Sequence, residues 1–137
     1  MGKTPRLLLI VLAALMVCLG LGFAWGASGR IGLQSAADDA RRQLDTMEAR
    51  GQLLEARVSL YGNNFGDASR HLEDAKVPLR RLKARYQQEG GRDAALRVDA
   101  ALAQLDEAQR LAGKLDSTAN AKAGETLETL RLATVKP

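Results

Sequence analysis

The side chains able to do chemistry are few and poorly placed for it. His71 is the only histidine, close to Arg70 and Glu73 on what helical spacing makes the outer side of its helix. Cys18 is the only cysteine, and it lies in the middle of an uncharged apolar run. A zinc cluster, a thiol–imidazole dyad or a serine triad cannot be assembled from that pair within one chain. The carboxylates are scattered, and Asp93–Arg97 and Asp106–Arg110 have the i,i+4 spacing of solvated helix-surface pairs. No glycine-rich phosphate loop follows a strand, because no strand pattern exists. The sequence therefore predicts no catalytic residue, no metal, no cofactor and no enzyme.

Three constellations stand above that background. Lys76, Arg80, Arg81, Lys83 and Arg85 fall within ten residues that contain no acid. Such a face would suit lipid headgroups or an acidic partner, or it is simply a solvated outer face bracketed by Glu73, Asp74 and Glu89. The stretch YGNNFGDAS begins at Tyr61. Asn63, Asn64 and Asp67 offer too few carboxylates for a calcium loop. The stretch reads instead as a helix–helix corner: Gly62 is the left-handed stop, Asn64 the next cap, Asp67 lies in the first turn, and Tyr61 and Phe65 are core staples on either side. The third constellation is a ridge of small residues spaced by four, Ala14, Cys18, Gly22 and Gly26. Its GxxxG half allows close helix packing in a membrane, with another copy or another membrane protein.

The elements that must carry these residues change character along the chain. Residues 7–27 (LLLIVLAALMVCLGLGFAWGA) hold no charge, and as a helix they span roughly 31 Å, enough for a hydrocarbon core of about 30 Å. Residues 1–6 carry Lys3 and Arg6, which fits a cytoplasmic N-terminus under the positive-inside rule, with Trp25 as an interfacial anchor at the far end. Cleavage of the run as a signal peptide is the competing expectation, with small residues at Gly22, Ala24 and Gly26, although the run is long for a signal core. The net charge of +4 loses half its weight once Lys3 and Arg6 are set aside, so nucleic acid is not an expected partner.

Beyond a joint at 28–32, the expected architecture is all-α, an antiparallel bundle of about four helices at 33–61, 65–88, 93–114 and 119–133, with a frayed tail at 135–137. Leu33, Ala37, Ala40, Leu44, Met47, Gly51, Leu54, Val58 and Tyr61 alternate spacings of four and three. That sustained 3.5-residue period predicts the seam along which the first long helix packs, either on its own bundle or on a second chain. Phe65, Ala68, Leu72, Ala75, Leu79, Leu82 and Tyr86 continue the pattern in the second helix, where Pro78 predicts a kink or short break near Lys76–Val77. Gly90 or Gly91 ends it. Ala101, Leu105, Ala108, Ala112 and Leu115, widened by Val98, Leu102 and Leu111, mark the third helix. Ser117 or Thr118 caps the fourth, which Gly124 interrupts and whose apolar marks are Ala123, Leu127 and Leu130.

Phe65, Ala68, Leu72 and Ala75 resemble the second half of a tetratricopeptide repeat, with an aromatic, an alanine, a bulky residue and an alanine at the family's spacing. The resemblance covers about residues 51–75. The family's first-helix Trp and Leu-Gly signature is missing, Pro78 falls earlier than its closing proline, and no second copy follows. It implies an antiparallel helix pair and nothing about a peptide groove.

Taken together, these features describe a single-pass protein of a bacterial cytoplasmic membrane, bacterial because arginine outnumbers lysine and alanine is abundant. Its N-terminus lies inside and its helical body outside, periplasmic if the cell is Gram-negative. The expected role is a non-enzymatic scaffold or accessory subunit of an envelope complex, with a protein partner. The alternatives are a dimeric coiled-coil signal relay, making a homo-oligomer through the seam, and an anionic-lipid-binding module.

Overall fold

A computed structural model describes the backbone of residues 4–135 and the side chains of residues 11–19 and 32–135. The described residues are all-helical, in the order α1 (Thr4–Tyr61), α2 (Phe65–Gln88), α3 (Arg92–Gly113) and α4 (Ala119–Thr134). They form two units, Met1–Ala40 and Arg41–Pro137.

In the first unit, Val11, Leu12, Leu15, Met16, Val17 and Leu19 are exposed. Among the described residues no helix is long and apolar enough to cross a membrane. The run expected to do so, 7–27, lies in part outside the described side chains, at 7–10 and 20–27. The same holds for Gly22 and Gly26 of the small-residue ridge, whereas Ala14 and Cys18 are exposed. The joint expected at 28–32 is helical backbone instead. Its glycines weaken a helix by about 1 kcal/mol each relative to Ala, which does not suffice to end one.

The second unit is a helical bundle whose interior is rich in alanine. Ala49, Leu53, Ala56 and Leu60 from α1 meet Ala68, Leu72, Ala75, Leu79 and Leu82 from α2. Val98, Leu105, Ala108 and Ala112 of α3 and Ala119, Ala123, Leu130 and Ala133 of α4 complete the core. Phe65, Tyr86, Leu102, Leu111 and Leu127 pack half-buried against it. With so many interior positions lacking anything beyond Cβ, helix backbones approach closely, and a few leucines fill the remaining space.

One predicted face is reversed. The α1 seam does not enter this core: Leu44, Met47, Leu54, Val58 and Tyr61 are exposed, Met47 at 70% and Tyr61 at 72%. The interior stripe is Asp45, Ala49, Leu53, Ala56 and Leu60, which lies about 160° around the helix from the seam at 100° per residue. Tyr61 is thus no core staple, while Phe65 is.

The three corners share one geometry. After α1, Asn64 N–H donates to the Ser59 carbonyl (2.8 Å) and Asn63 N–H to Leu60 (3.1 Å). After α2, Gly91 N–H donates to Tyr86 (2.8 Å) and Gly90 N–H to Gln87 (3.3 Å). After α3, Asp116 N–H donates to Leu111 (3.0 Å) and Leu115 N–H to Ala112 (2.9 Å). Each is a Schellman ending, closed by a residue with positive φ: Asn63 (56°), Gly90 (77°) and Leu115 (58°). Gly62 is therefore not the left-handed residue of the first corner; Asn63 is, because a short amide tolerates that conformation. Asn64 does cap α2, its side-chain oxygen accepting from Asp67 N–H at 3.3 Å. Leu115 leaves the predicted third-helix face for the same reason, turning outward at the corner. Thr118, one of the two residues expected to cap α4, does stand at its N-cap position, but its side chain makes no cap hydrogen bond. Asp116 Oδ1 instead accepts from Thr118 N–H (2.9 Å) and Thr118 Oγ1 (2.7 Å), closing the turn ahead of the helix.

Neither helix breaks where a break was expected. α2 continues through Pro78, whose ring is buried, so of the kink or short break expected there the break is absent, and α4 runs unbroken through Gly124. Gly124 faces the Arg57 guanidinium, which a Cβ would approach to 3.7 Å.

Candidate interaction surface

Several polar side chains of the bundle join one helix to another. Asp45, on the buried stripe of α1, accepts from Arg81 Nε (2.8 Å) and Arg85 Nε (2.9 Å) of α2. Arg81 also reaches Glu48, and Arg42 pairs with Glu89 while its guanidinium lies 6.0 Å from the Tyr86 ring centre. Further along the same pair of helices, His71 Nδ1 and Gln52 Oε1 lie 2.8 Å apart. Partner numbers rise on one helix as they fall on the other, so α1 and α2 are antiparallel over this stretch.

Lys76 does the same between α2 and α3. Its ammonium lies 2.7 Å from both Glu73 and Asp106 and also donates to Gln109 Oε1. Burial disfavours its charge, but the hydrogen bonds to Asp106 and Glu73 and their charges outweigh that, holding its pKa above the ordinary value. Lys83 pairs with Asp99. Arg57 Nε donates to Asn120 Oδ1 (2.9 Å), joining α1 to α4, and Arg97 donates to the Leu132 carbonyl (2.8 Å), joining α3 to α4.

The basic constellation is thereby taken apart. Lys76 is buried, Arg81 and Arg85 share Asp45, and Lys83 holds Asp99, which leaves Arg80 as the member outside these clasps. His71 is half-buried and faces Gln52 rather than standing free in solvent. Around the first corner, Gly62, Asn64 and Asp67 serve the turn, with Arg70 Nη2 on Asp67 at 3.0 Å. Among the described residues no group of three or more His, Cys, Asp or Glu side chains could hold a metal ion.

What the bundle leaves open is the outer face of α1. Leu44, Met47, Leu54, Val58 and Tyr61 line it, and a Cβ added at Gly51 in its middle would meet nothing within 4 Å. The other helices show large exposed apolar residues singly: Val77 on α2, Leu96 on α3 and Leu132 on α4. A surface helix ordinarily turns polar residues outward, whereas α1 over this stretch is apolar on two opposite faces. Beside this face, an open groove of about 350 Å³ runs between α1 and α4, where Arg50 and Leu54 lie across from Leu127 and Arg131.

Sequence reasoning found the residues of this face and left open whether the chain's own bundle or a second chain covers them; the bundle does not. The overlooked signal was a second stripe on the same helix, Ala49, Leu53, Ala56 and Leu60, which also follows spacings of four and three. Its alanines and the charge of Asp45 disguise it.

The chain matches no family model, no curated protein and no solved structure. The tetratricopeptide resemblance accordingly rests on residues 51–75 alone.

Proposed function

We propose that this chain is a membrane-anchored, non-enzymatic scaffold or accessory subunit of a bacterial envelope complex, its helical body held outside the cytoplasm for protein–protein contact. The observation that carries the reading is the doubly apolar stretch of α1. A helix already buried on one side keeps Leu44, Met47, Leu54, Val58 and Tyr61 exposed on the other, which suits a protein whose work is to be bound. The anchor is supported by the uncharged run 7–27, by Lys3 and Arg6 ahead of it, and by exposed Val11, Leu12, Leu15, Met16, Val17 and Leu19. A binding role rather than a reactive one is supported by the use made of Asp45, Lys76 and His71, each engaged by a neighbouring helix.

Fractionation tests the anchor. The full-length protein is expected to sediment with membranes, to resist high-salt and alkaline-carbonate washing, and to be released by detergent. Protease added outside the cytoplasmic membrane should digest the body while the interior of the cell stays sealed. Recovery of the chain in the salt-washed soluble fraction, starting near residue 25, would overturn the anchor.

A further inference from the structure

We infer that the outer face of α1 is covered by the same face of a second copy, the two helices running parallel in a coiled coil over residues 44–61. The period comes first. Leu44, Met47, Gly51, Leu54, Val58 and Tyr61 keep a strict 3.5-residue repeat, the repeat two helices need to stay in register as they wind about each other. With Leu44, Gly51 and Val58 at the first core position of each heptad, Met47, Leu54 and Tyr61 take the second. The edges of the face are then Arg41, Glu48 and Glu55 on one side and Gln43, Arg50 and Arg57 on the other.

Charge then selects both the partner and its direction. In a parallel pair, the residue before one core position lies opposite the residue five further along the other chain. That sets Arg50 against the partner copy's Glu55, and the reverse by symmetry. Within one chain, these two side chains are about 140° apart around the helix and cannot meet. Both are exposed, while neighbouring edge residues are taken: Glu48 by Arg81 and Arg57 by Asn120. An antiparallel pair would oppose each edge to itself, bringing Glu48 and Glu55 against glutamates and Arg50 and Arg57 against arginines. Arg50 and Glu55, neither of which is held in an ion pair among the described residues, thus complement a second copy of this stretch in one orientation.

The test uses the full chain in mild detergent, with Cys18→Ser as background. Sedimentation is expected to show a dimer that Val58→Glu converts to a monomer with unchanged helical signal. Glu55→Arg should weaken the dimer at least tenfold by facing Arg50 with Arg. The double exchange Arg50→Glu/Glu55→Arg should restore it, because each copy then offers the reversed pair. Leu44→Cys and Leu54→Cys should each cross-link to the same position of the partner copy. The inference is overturned by a monomeric full chain, by a dimer indifferent to Val58→Glu, by a double exchange no better than Glu55→Arg, or by failure of either cross-link. A monomer that still sediments with membranes would leave the anchor standing and give this face to a different protein.

Discussion

Removing Asp45 and removing its two partners should cost unequal amounts, although both break the same pair of contacts. The Asp45 side chain is only 7% exposed, whereas Arg81 and Arg85 are 43% and 28% exposed. In Asp45→Ala, both guanidiniums can turn to water, and Arg81 keeps Glu48. Two charge-assisted hydrogen bonds are lost, but so is the burial of a carboxylate, and the net cost is about 1–2 kcal/mol. In Arg81→Met/Arg85→Met the aliphatic stems remain, while the acid stays on the interior stripe with neither cation. An uncompensated buried charge costs about 3–5 kcal/mol. The difference of about 2 kcal/mol corresponds to roughly 10 °C in the midpoint for a body of this size. Thermal unfolding of the full chain in detergent, followed by far-ultraviolet circular dichroism, measures it. If Asp45→Ala proves as damaging as the double arginine variant, or more so, the asymmetry argument fails and the clasp is not governed by desolvation.

Three further outcomes can be checked in the same assay. Leu115 holds a left-handed backbone (φ 58°) with an exposed side chain, so Leu115→Gly should raise stability by about 0.5–1 kcal/mol by releasing that strain. Gln104 has a buried Oε1 with no hydrogen-bond partner among the described residues, so Gln104→Met should stabilise by about 1 kcal/mol, and a loss would show that the oxygen is satisfied in solution. The pH profile should fall at both ends. Hydrogen bonds from Lys76, Arg110, Thr118 and Arg131 hold Glu73, Glu107, Asp116 and Glu128 below their ordinary values. Their stabilisation is full above the unfolded-state values near 4 and lost as pH drops through the depressed folded ones. The contribution of Lys76 has the opposite sign: it is full below the ordinary lysine value of 10.5 and lost as pH climbs through the higher folded one. A profile unchanged at pH 3 would refute the acid limb.

The helices were legible because their ends are chemically marked. Boundaries expected at 61, 65, 88, 93, 114, 119 and 133 fall within one residue of those observed, since Asn63, Asn64 and Gly90 are types that corners require, whereas the start expected at 33 does not, because α1 is already helical from Thr4. Leu115 carries no such mark, and its corner was placed by the polar run after it rather than by the residue that turns. The inward face of α2 was legible too, because leucines dominate it. The faces of α1 were not. Apolar spacing shows where a stripe lies on a helix, but with two stripes present it does not say which of them the chain itself covers. The more apolar stripe is the one left outside, while the inner one trades size for close approach and accepts a carboxylate. The clasps of Lys76, Arg81, Lys83 and Arg85 were hidden for a related reason: apart from Glu73 beside Lys76, their acids lie 16 to 40 positions away on other helices, and a local count of like charges misses them.

The alanine interior has a consequence for how this body tolerates change. Where Ala49, Ala56, Ala75, Ala101, Ala108 and Ala123 already contribute the smallest side chain a helix favours, trimming has little left to remove. Growth is the hazard, since a branched or longer residue at any of these places wedges two backbones apart at about 1–3 kcal/mol each. Variation that the lineage survives should therefore keep these interior places small, with serine the mildest exchange, and any tag, dye or graft belongs on the outward sides of α3 and α4.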